Sequence, residues 1–157
     1  TVVKKNLEEL SMIDRSFIGH KSEALTVAVE PFQLRLFAKA VGETNPIYLE
    51  EGAAKAAGYR NMLAPPTFAN ALSLSKPDPF GDFAGMGVEL AKILHGEQKF
   101  VYFAPICAGD TITLQDEITD IYDKKDGAME FMVSETTVTN QDGELVGKMT
   151  SVLVQRH

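Results

Sequence analysis

The polar groups best suited to chemistry are concentrated in residues 41–70, and the first turn of this stretch reads GETNPIY. This turn carries the Glu43 carboxylate, the Asn45 amide and the Tyr48 hydroxyl. Because an ordinary tyrosine has a pKa of about 10, Tyr48 is a poor base at neutral pH but a good hydrogen-bond donor. Asn45 is explained either by turn chemistry alone or by a role in holding a water or the carboxylate.

The sequence Pro65-Pro66-Thr67 predicts the start of a helix, because proline is tolerated only in the first helical turn. The first N–H groups of a helix have no partner within the helix. Those near Thr67 and Phe68 could therefore polarise a carbonyl, as an oxyanion hole does. The same residues are also explained as a helix start with no further role.

His95 is a second candidate base, in the segment LHGEQ. Imidazole changes its charge near neutral pH, Gly96 allows a close approach of backbone, and Glu97 is a polar neighbour. The alternative interpretation is a histidine hydrogen-bonded at a strand edge or dimer seam, with Glu97 as a solvated or interfacial carboxylate.

The elements that hold these groups follow from hydrophobic periodicity. An alternating strand is predicted over 25–29, a helix over 31–40 and a second helix over 49–59. The sequences KKDG and NQDG indicate tight hairpin turns, and Asp110 of AGDT is expected to serve as a turn or capping residue. The remaining predicted elements are an opening helix over 2–17, an apolar helix over 68–74, an extended loop over 76–87, and strands over 93–103, 111–121, 129–139 and 145–156.

This order of elements predicts an α+β fold, in which helices lie on one face of an antiparallel sheet. A chain of 157 residues, 45% of them hydrophobic, fits one domain over residues 1–157, with residues 1–14 as an N-terminal extension.

The formal net charge of -7 argues against nucleic-acid and anionic-membrane partners. Cys107 is the single cysteine, and no apolar run is long enough to cross a bilayer, so a cytoplasmic location without a metal or redox cofactor is expected.

Several motifs occur in a fixed order: GETNPIY, an alanine-rich helix with GY, LAPPTF, FAPICAGDTIT and VTNQDGELV. From about residue 15 onward, this series resembles the MaoC-like hydratase/dehydratase group of hotdog-fold proteins, especially its FAS1-like dehydratase (MaoC N-terminal) branch. The resemblance implies a curved antiparallel sheet wrapped around a long central helix. It also implies a two-fold pair of hotdogs, as a homodimer or higher oligomer or as a heterodimer with a catalytic MaoC-like subunit. The implied ligand is an acyl thioester of coenzyme A or of acyl carrier protein.

In that family an Asp and a His of the first turn handle the water that is added to a 2-enoyl thioester or removed from a 3-hydroxyacyl thioester. Glu43 and Tyr48 stand at the matching positions, so both groups differ here. The resemblance leaves three alternatives: an autonomous hydratase/dehydratase, a non-catalytic acyl-CoA-binding subunit whose partner carries the Asp/His pair, and a hotdog thioesterase. The predicted catalytic residues are Glu43, Tyr48 and His95, and the predicted substrate-binding residues are Asn45, Pro65, Pro66, Thr67, Phe68, Gly96 and Glu97.

Overall fold

The computed structural model describes residues 12–83 and 85–157, which form a curved five-stranded antiparallel sheet with short helices packed against it. The strand order β1-β3-β4-β5-β2 places β1 and β2 at the edges. This arrangement confirms the predicted α+β hotdog fold. The strands are β1 Leu25–Ala28, β2 Ile93–Tyr102, β3 Thr111–Lys124, β4 Met129–Thr139 and β5 Leu145–Arg156, and the helices are α1 Pro31–Ala40, α2 Glu51–Ala56 and α3 Phe68–Ser73.

The two hairpin turns expected from sequence join β3 to β4 and β4 to β5. Lys125, Asp126 and Gly127 all have positive φ angles, of 55°, 54° and 84°, which turn the chain tightly between β3 and β4. Because side chains alternate along a strand, every second residue of the central strands faces the helices. Val138 on β4 and Val146 on β5 are buried there by this alternation.

Helix α1 has the predicted bounds 31–40, whereas α2 and α3 are shorter than expected. The helix expected over 49–59 is reduced to the six-residue α2, Glu51–Ala56, which follows a separate 3-10 turn, Pro46–Tyr48. The expected long central helix corresponds to α3, which also has six residues and ends at Ser73. It ends there because the following residues lead into Lys76-Pro77, and a residue before proline is pushed out of the helical region.

Packing against the sheet fixes α3 through Phe68 and Leu72, which are 3% and 2% exposed. Phe68 meets Phe37 of α1 edge to face, with 5.5 Å between ring centroids. A second group of buried residues, Ile13, Met86, Ile118, Ile121 and Met132, packs the loop after α3 against the other end of the sheet.

Buried polar side chains of β4 and β5 bind the loop after α3 and two other segments of the chain. The Gln155 side chain accepts a hydrogen bond from the Glu89 N–H at 2.6 Å and donates one to the Gly87 carbonyl at 3.2 Å. The Glu130 carboxylate accepts from the Ile13 N–H at 2.9 Å and lies 2.6 Å from His157 Nε2. The Gln155 contacts hold the loop over β5, and the Glu130 contacts attach Ile13 and His157 to β4.

The N-terminal prediction is only partly open to comparison, because residues 1–11 lie outside the described part of the chain. Within the described part, Asp14 caps a 3-10 turn, Arg15–Phe17, by accepting from the Ser16 N–H. No helix in residues 12–83 or 85–157 has both the length and the apolar character needed to cross a bilayer.

Asp110 joins three segments of the fold, as expected of a turn residue. Its side chain is 4% exposed, accepts from the Cys107 N–H at 2.8 Å and pairs with Arg60, while its carbonyl accepts from the Val29 N–H at 2.8 Å. The Arg60 guanidinium is half exposed, and its hydrogen bond to Asp110 raises the pKa of Arg60.

Replacing Asp110 with alanine is expected to lower the free energy of unfolding by about 2–3 kcal/mol, because the buried Cys107 N–H loses its acceptor. Urea unfolding followed by circular dichroism measures this change. Asp120→Ala, at an exposed position of β3, is the matched control and should stay within about 0.5 kcal/mol of the wild type. Equal stability of the two variants would contradict a structural role for Asp110.

Candidate functional site

Two cavities lie on either side of α3. The turn-side cavity, of about 370 Å³, is bordered by the turn that carries Tyr48, and the loop-side cavity, of about 540 Å³, by the loop after α3. Selected lining residues of the turn-side cavity are Tyr48, Tyr59, Pro65, Pro66, Ala69, Phe100, Tyr102 and Met149, and those of the loop-side cavity are Asn70, Lys76, Phe80, Phe83, Met86, His95, Gln98, Met132, Met149 and Leu153.

The faces of α3 explain this division. Ala69 lines the turn-side cavity, while Asn70 and Ser73 line the loop-side cavity. Met149 of β5 lines both. The helix and the Met149 side chain therefore form the wall between the two cavities.

Glu43 and Asn45 shape the turn itself. The Glu43 carboxylate accepts hydrogen bonds from the Thr44 and Asn45 N–H groups, both at 2.8 Å. The Asn45 side chain accepts from the Ile47 N–H at 3.2 Å and caps the 3-10 turn Pro46–Tyr48. Neither Glu43 nor Asn45 is among the residues that line the two cavities.

Tyr48 is half-buried at the wall of the turn-side cavity. Burial raises the pKa of Tyr48, and the nearby Glu43 carboxylate and Tyr59 raise it further. The hydroxyl is therefore protonated at neutral pH and can donate a hydrogen bond but not accept a proton as a base.

Pro65 and Pro66 line the same cavity, next to Tyr102, whose hydroxyl donates to the Pro66 carbonyl at 2.8 Å. Thr67 is exposed and is the N-cap of α3. The Phe68 N–H donates to the Pro65 carbonyl at 2.9 Å. This hydrogen bond occupies one of the N–H groups expected to polarise a carbonyl.

His95 lies on edge strand β2 and faces the loop-side cavity. Its Nε2 is 3.2 Å from Gln98 Oε1 and 3.4 Å from Ser151 Oγ. A β-bulge follows His95, and Gly96 lies so close to β5 that an added Cβ would meet Val154 Cγ2 at 2.9 Å. Glycine is therefore required by packing.

The predicted site residues are thus divided between two places. Tyr48, Pro65 and Pro66 belong to the turn-side cavity and His95 to the loop-side cavity, while the Glu97 side chain is exposed on the edge strand. Among the described residues, neither cavity combines a carboxylate with a histidine in hydrogen-bond contact. Residues 12–83 and 85–157 also contain no cluster of three or more His, Cys, Asp or Glu side chains that could hold a metal ion.

Sequence reasoning missed several residues of the two cavities. Lys76 lies between two carboxylates of the loop-side cavity, 2.9 Å from Asp82 and 3.6 Å from Asp116. Ser134 and Ser151 face that cavity from β4 and β5. Because side chains alternate along a strand, Ser134 lies on the same face of β4 as the buried Met132, and Ser151 on the same face of β5 as the buried Met149. This alternation is the sequence feature from which their position in the cavity could have been predicted.

A protein-family model described as "FAS1-like, dehydratase domain region" matches residues 16–149. A "UPF0336 protein" from Saccharopolyspora erythraea is 35% identical over 147 residues, with 92% of each chain covered. A second, from Thermobifida fusca, is 32% identical over 149 residues and covers 92% of this chain and 94% of the relative.

Solved structures agree with these matches. The C terminal truncated HadBC (3R-Hydroxyacyl-ACP Dehydratase) complex from Mycobacterium tuberculosis has a chain that is 29% identical, with a TM-score of 0.75 and coverage of 90% of this chain and 99% of that chain. The ChsH1-ChsH2 complex from Mycobacterium tuberculosis contains a chain with 19% identity and a TM-score of 0.69, covering 88% of this chain and 98% of that chain, which shows the fold alone.

A tyrosinate absorbance titration tests the protonation state of Tyr48 directly, since the sequence has four tyrosines and no tryptophan. The difference between the wild-type curve and that of Tyr48→Phe is expected to have its midpoint above 10, because burial and the Glu43 charge both disfavour tyrosinate. In Glu43→Gln the Tyr48 midpoint should fall toward 10. A wild-type midpoint near neutral pH would make Tyr48 a competent base and contradict this assignment.

Proposed function

This chain belongs to the FAS1-like dehydratase domain family, and on that premise we propose that it is the acyl-binding subunit of an acyl-thioester hydratase or dehydratase. The reaction is the reversible hydration of a 2-enoyl thioester to a 3-hydroxyacyl thioester. The observation that carries the proposal is the placement of Tyr48 and His95 in different cavities.

Hydration of an enoyl thioester requires a base for water and an acid for the α-carbon, both within hydrogen-bond reach of the same substrate. Tyr48 is held neutral, and the Glu43 carboxylate already accepts two backbone hydrogen bonds. His95 contacts an amide and a hydroxyl, and neither of these can stabilise an imidazolium as a carboxylate does. The acid–base pair is therefore supplied by a partner.

The loop-side cavity is the better place for the acyl chain. Both cavities lie within the range of small-molecule sites, roughly 300–1,000 Å³, but the loop-side cavity has the larger volume, about 540 Å³ against about 370 Å³. Apolar side chains reach it from α3, from the loop and from the sheet, so that a hydrocarbon chain would be removed from water on several sides. These side chains are Leu74, Phe80, Phe83, Met86, Leu90, Ile93, Ile118, Met132, Met149 and Leu153.

Edge strand β2 gives a partner access to this cavity. Ile93, His95 and Gln98 line the cavity from β2, which among the described residues pairs only with β5. An open strand edge is a template for pairing with another chain, and Leu94 and Tyr102 on β2 are 51% and 57% exposed. HadBC and ChsH1-ChsH2 are named as complexes, which supports assembly with a second hotdog subunit.

The purified chain alone is expected not to hydrate crotonyl-CoA, because its own residues lack a paired base and acid. Co-expression with a hotdog chain that carries the Asp/His pair of the family in this turn, with the sequence GDxNPxH, should give turnover. Turnover is measured as loss of the absorbance of the conjugated thioester. Thiol release by the complex should stay at background, since hydration leaves the thioester intact.

His95→Ala distinguishes an autonomous hydratase from an acyl-binding subunit whose partner supplies the acid–base pair. Turnover by the complex should remain within about tenfold of the wild type, because His95 contacts only Gln98 and Ser151. Turnover by the purified chain alone that is abolished in His95→Ala would show an autonomous enzyme and overturn the proposal. Release of free thiol from acyl-CoA without enoyl turnover would instead show a thioesterase.

A further inference from the structure

A row of polar side chains crosses the sheet where it forms the floor of the loop-side cavity. Ser134 of β4 is paired with Ser151 of β5, which is paired with Gln98 of β2. All three residues line the cavity. We call this row, Ser134, Ser151 and Gln98, the polar rung.

The rows on both sides of the polar rung contain apolar side chains beside one polar residue each, His95 on one side and Thr136 on the other. The next cavity-lining pair toward one end of β4 and β5 is Met132 with Leu153, and toward the other end Met149 lines the cavity beside Thr136. Ile118 of β3, paired with Ser134, closes the row at its β3 end. A chain that lies along β5 therefore crosses Leu153, then Ser151 of the rung, then Met149.

The fold itself makes little use of the rung hydroxyls. The neighbouring polar residues Thr136 and Asp116 have hydrogen-bond partners within the protein. Thr136 Oγ1 donates to the Asp116 carboxylate at 2.6 Å, and Lys76 lies 3.6 Å from that carboxylate. By contrast, the Ser134 hydroxyl makes no hydrogen bond with any residue of 12–83 or 85–157, and the Ser151 hydroxyl has only the 3.4 Å contact with His95 among them.

Covering these hydroxyls with a saturated chain removes them from water without a replacement partner, which is unfavourable. An oxygen on the ligand at that point restores the lost hydrogen bond, since a serine hydroxyl both donates and accepts. The oxygen should be uncharged, because the Lys76 ammonium is already paired with Asp82 and Asp116.

We propose that the polar rung makes this chain selective for acyl chains that carry a hydroxyl or keto oxygen part-way along, in preference to plain saturated chains. This proposal rests on the proposed acyl-binding function and on the loop-side cavity as the acyl site. Ser134 and Ser151 are then specificity-determining residues that contact the acyl chain away from the reacting carbons.

Isothermal titration calorimetry of the purified protein with dodecanoyl-CoA and with its mid-chain hydroxy positional isomers tests the proposal. At least one isomer is expected to bind about five- to tenfold more tightly than the plain chain, the ratio that one or two hydrogen bonds provide. In the double variant Ser134→Ala, Ser151→Ala, the preference should disappear while the plain chain binds as well as or better than before. Thr150→Ala is the matched control, because Thr150 does not line the cavity although it neighbours Ser151 on β5, and it should retain the preference.

Equal binding of the plain chain and every hydroxy isomer to the wild type would overturn the inference alone, and this comparison needs no variant. A preference that persists unchanged in the folded double variant would also overturn it. Failure of every acyl-CoA to bind would overturn the proposed acyl-binding function, and the inference with it.

Discussion

The burial of Phe68 and Leu72 against the sheet is the constraint on which the rest of the structure depends. Full burial of one such side chain contributes about 1.5–3 kcal/mol, so these two contacts set the position of the six-residue helix α3. Because the face of α3 that carries Phe68 and Leu72 is buried, Ala69 faces the turn-side cavity and Asn70 faces the loop-side cavity. The separation into two cavities is therefore a consequence of core packing.

This separation determines what chemistry the chain can perform. The turn that resembles the catalytic turn of MaoC-like proteins presents a neutral tyrosine, Tyr48, to the turn-side cavity, while His95 faces the loop-side cavity. The side chains of Glu43 and Asn45 hold the turn in shape by accepting backbone hydrogen bonds, but the turn lacks the Asp/His pair of the family. An open edge strand beside the larger cavity is the complementary feature, because it allows a second subunit to complete the site.

The sheet was predictable because its signals are local. The predicted strands 129–139 and 145–156 coincide with β4 and β5, because alternating hydrophobicity and hairpin turns depend only on residues close together in sequence. The helix predicted over 49–59 was too long, because Glu50 has an extended backbone before α2 and the chain turns after it at Gly58, which has a positive φ angle. The resemblance found the family, whereas the placement of Tyr48 and His95 on opposite sides of α3 depends on contacts between residues far apart in sequence.

The most direct test of the account is the location of the acyl chain. An acyl-CoA with a photoreactive diazirine at the end of its chain, irradiated when bound to the protein and mapped by mass spectrometry, reports which cavity holds it. If the loop-side cavity holds the acyl chain, labelling is expected at residues such as Phe80, Phe83 and Met132. Labelling confined to Tyr48, Tyr59 and Tyr102 would place the chain in the turn-side cavity and contradict it.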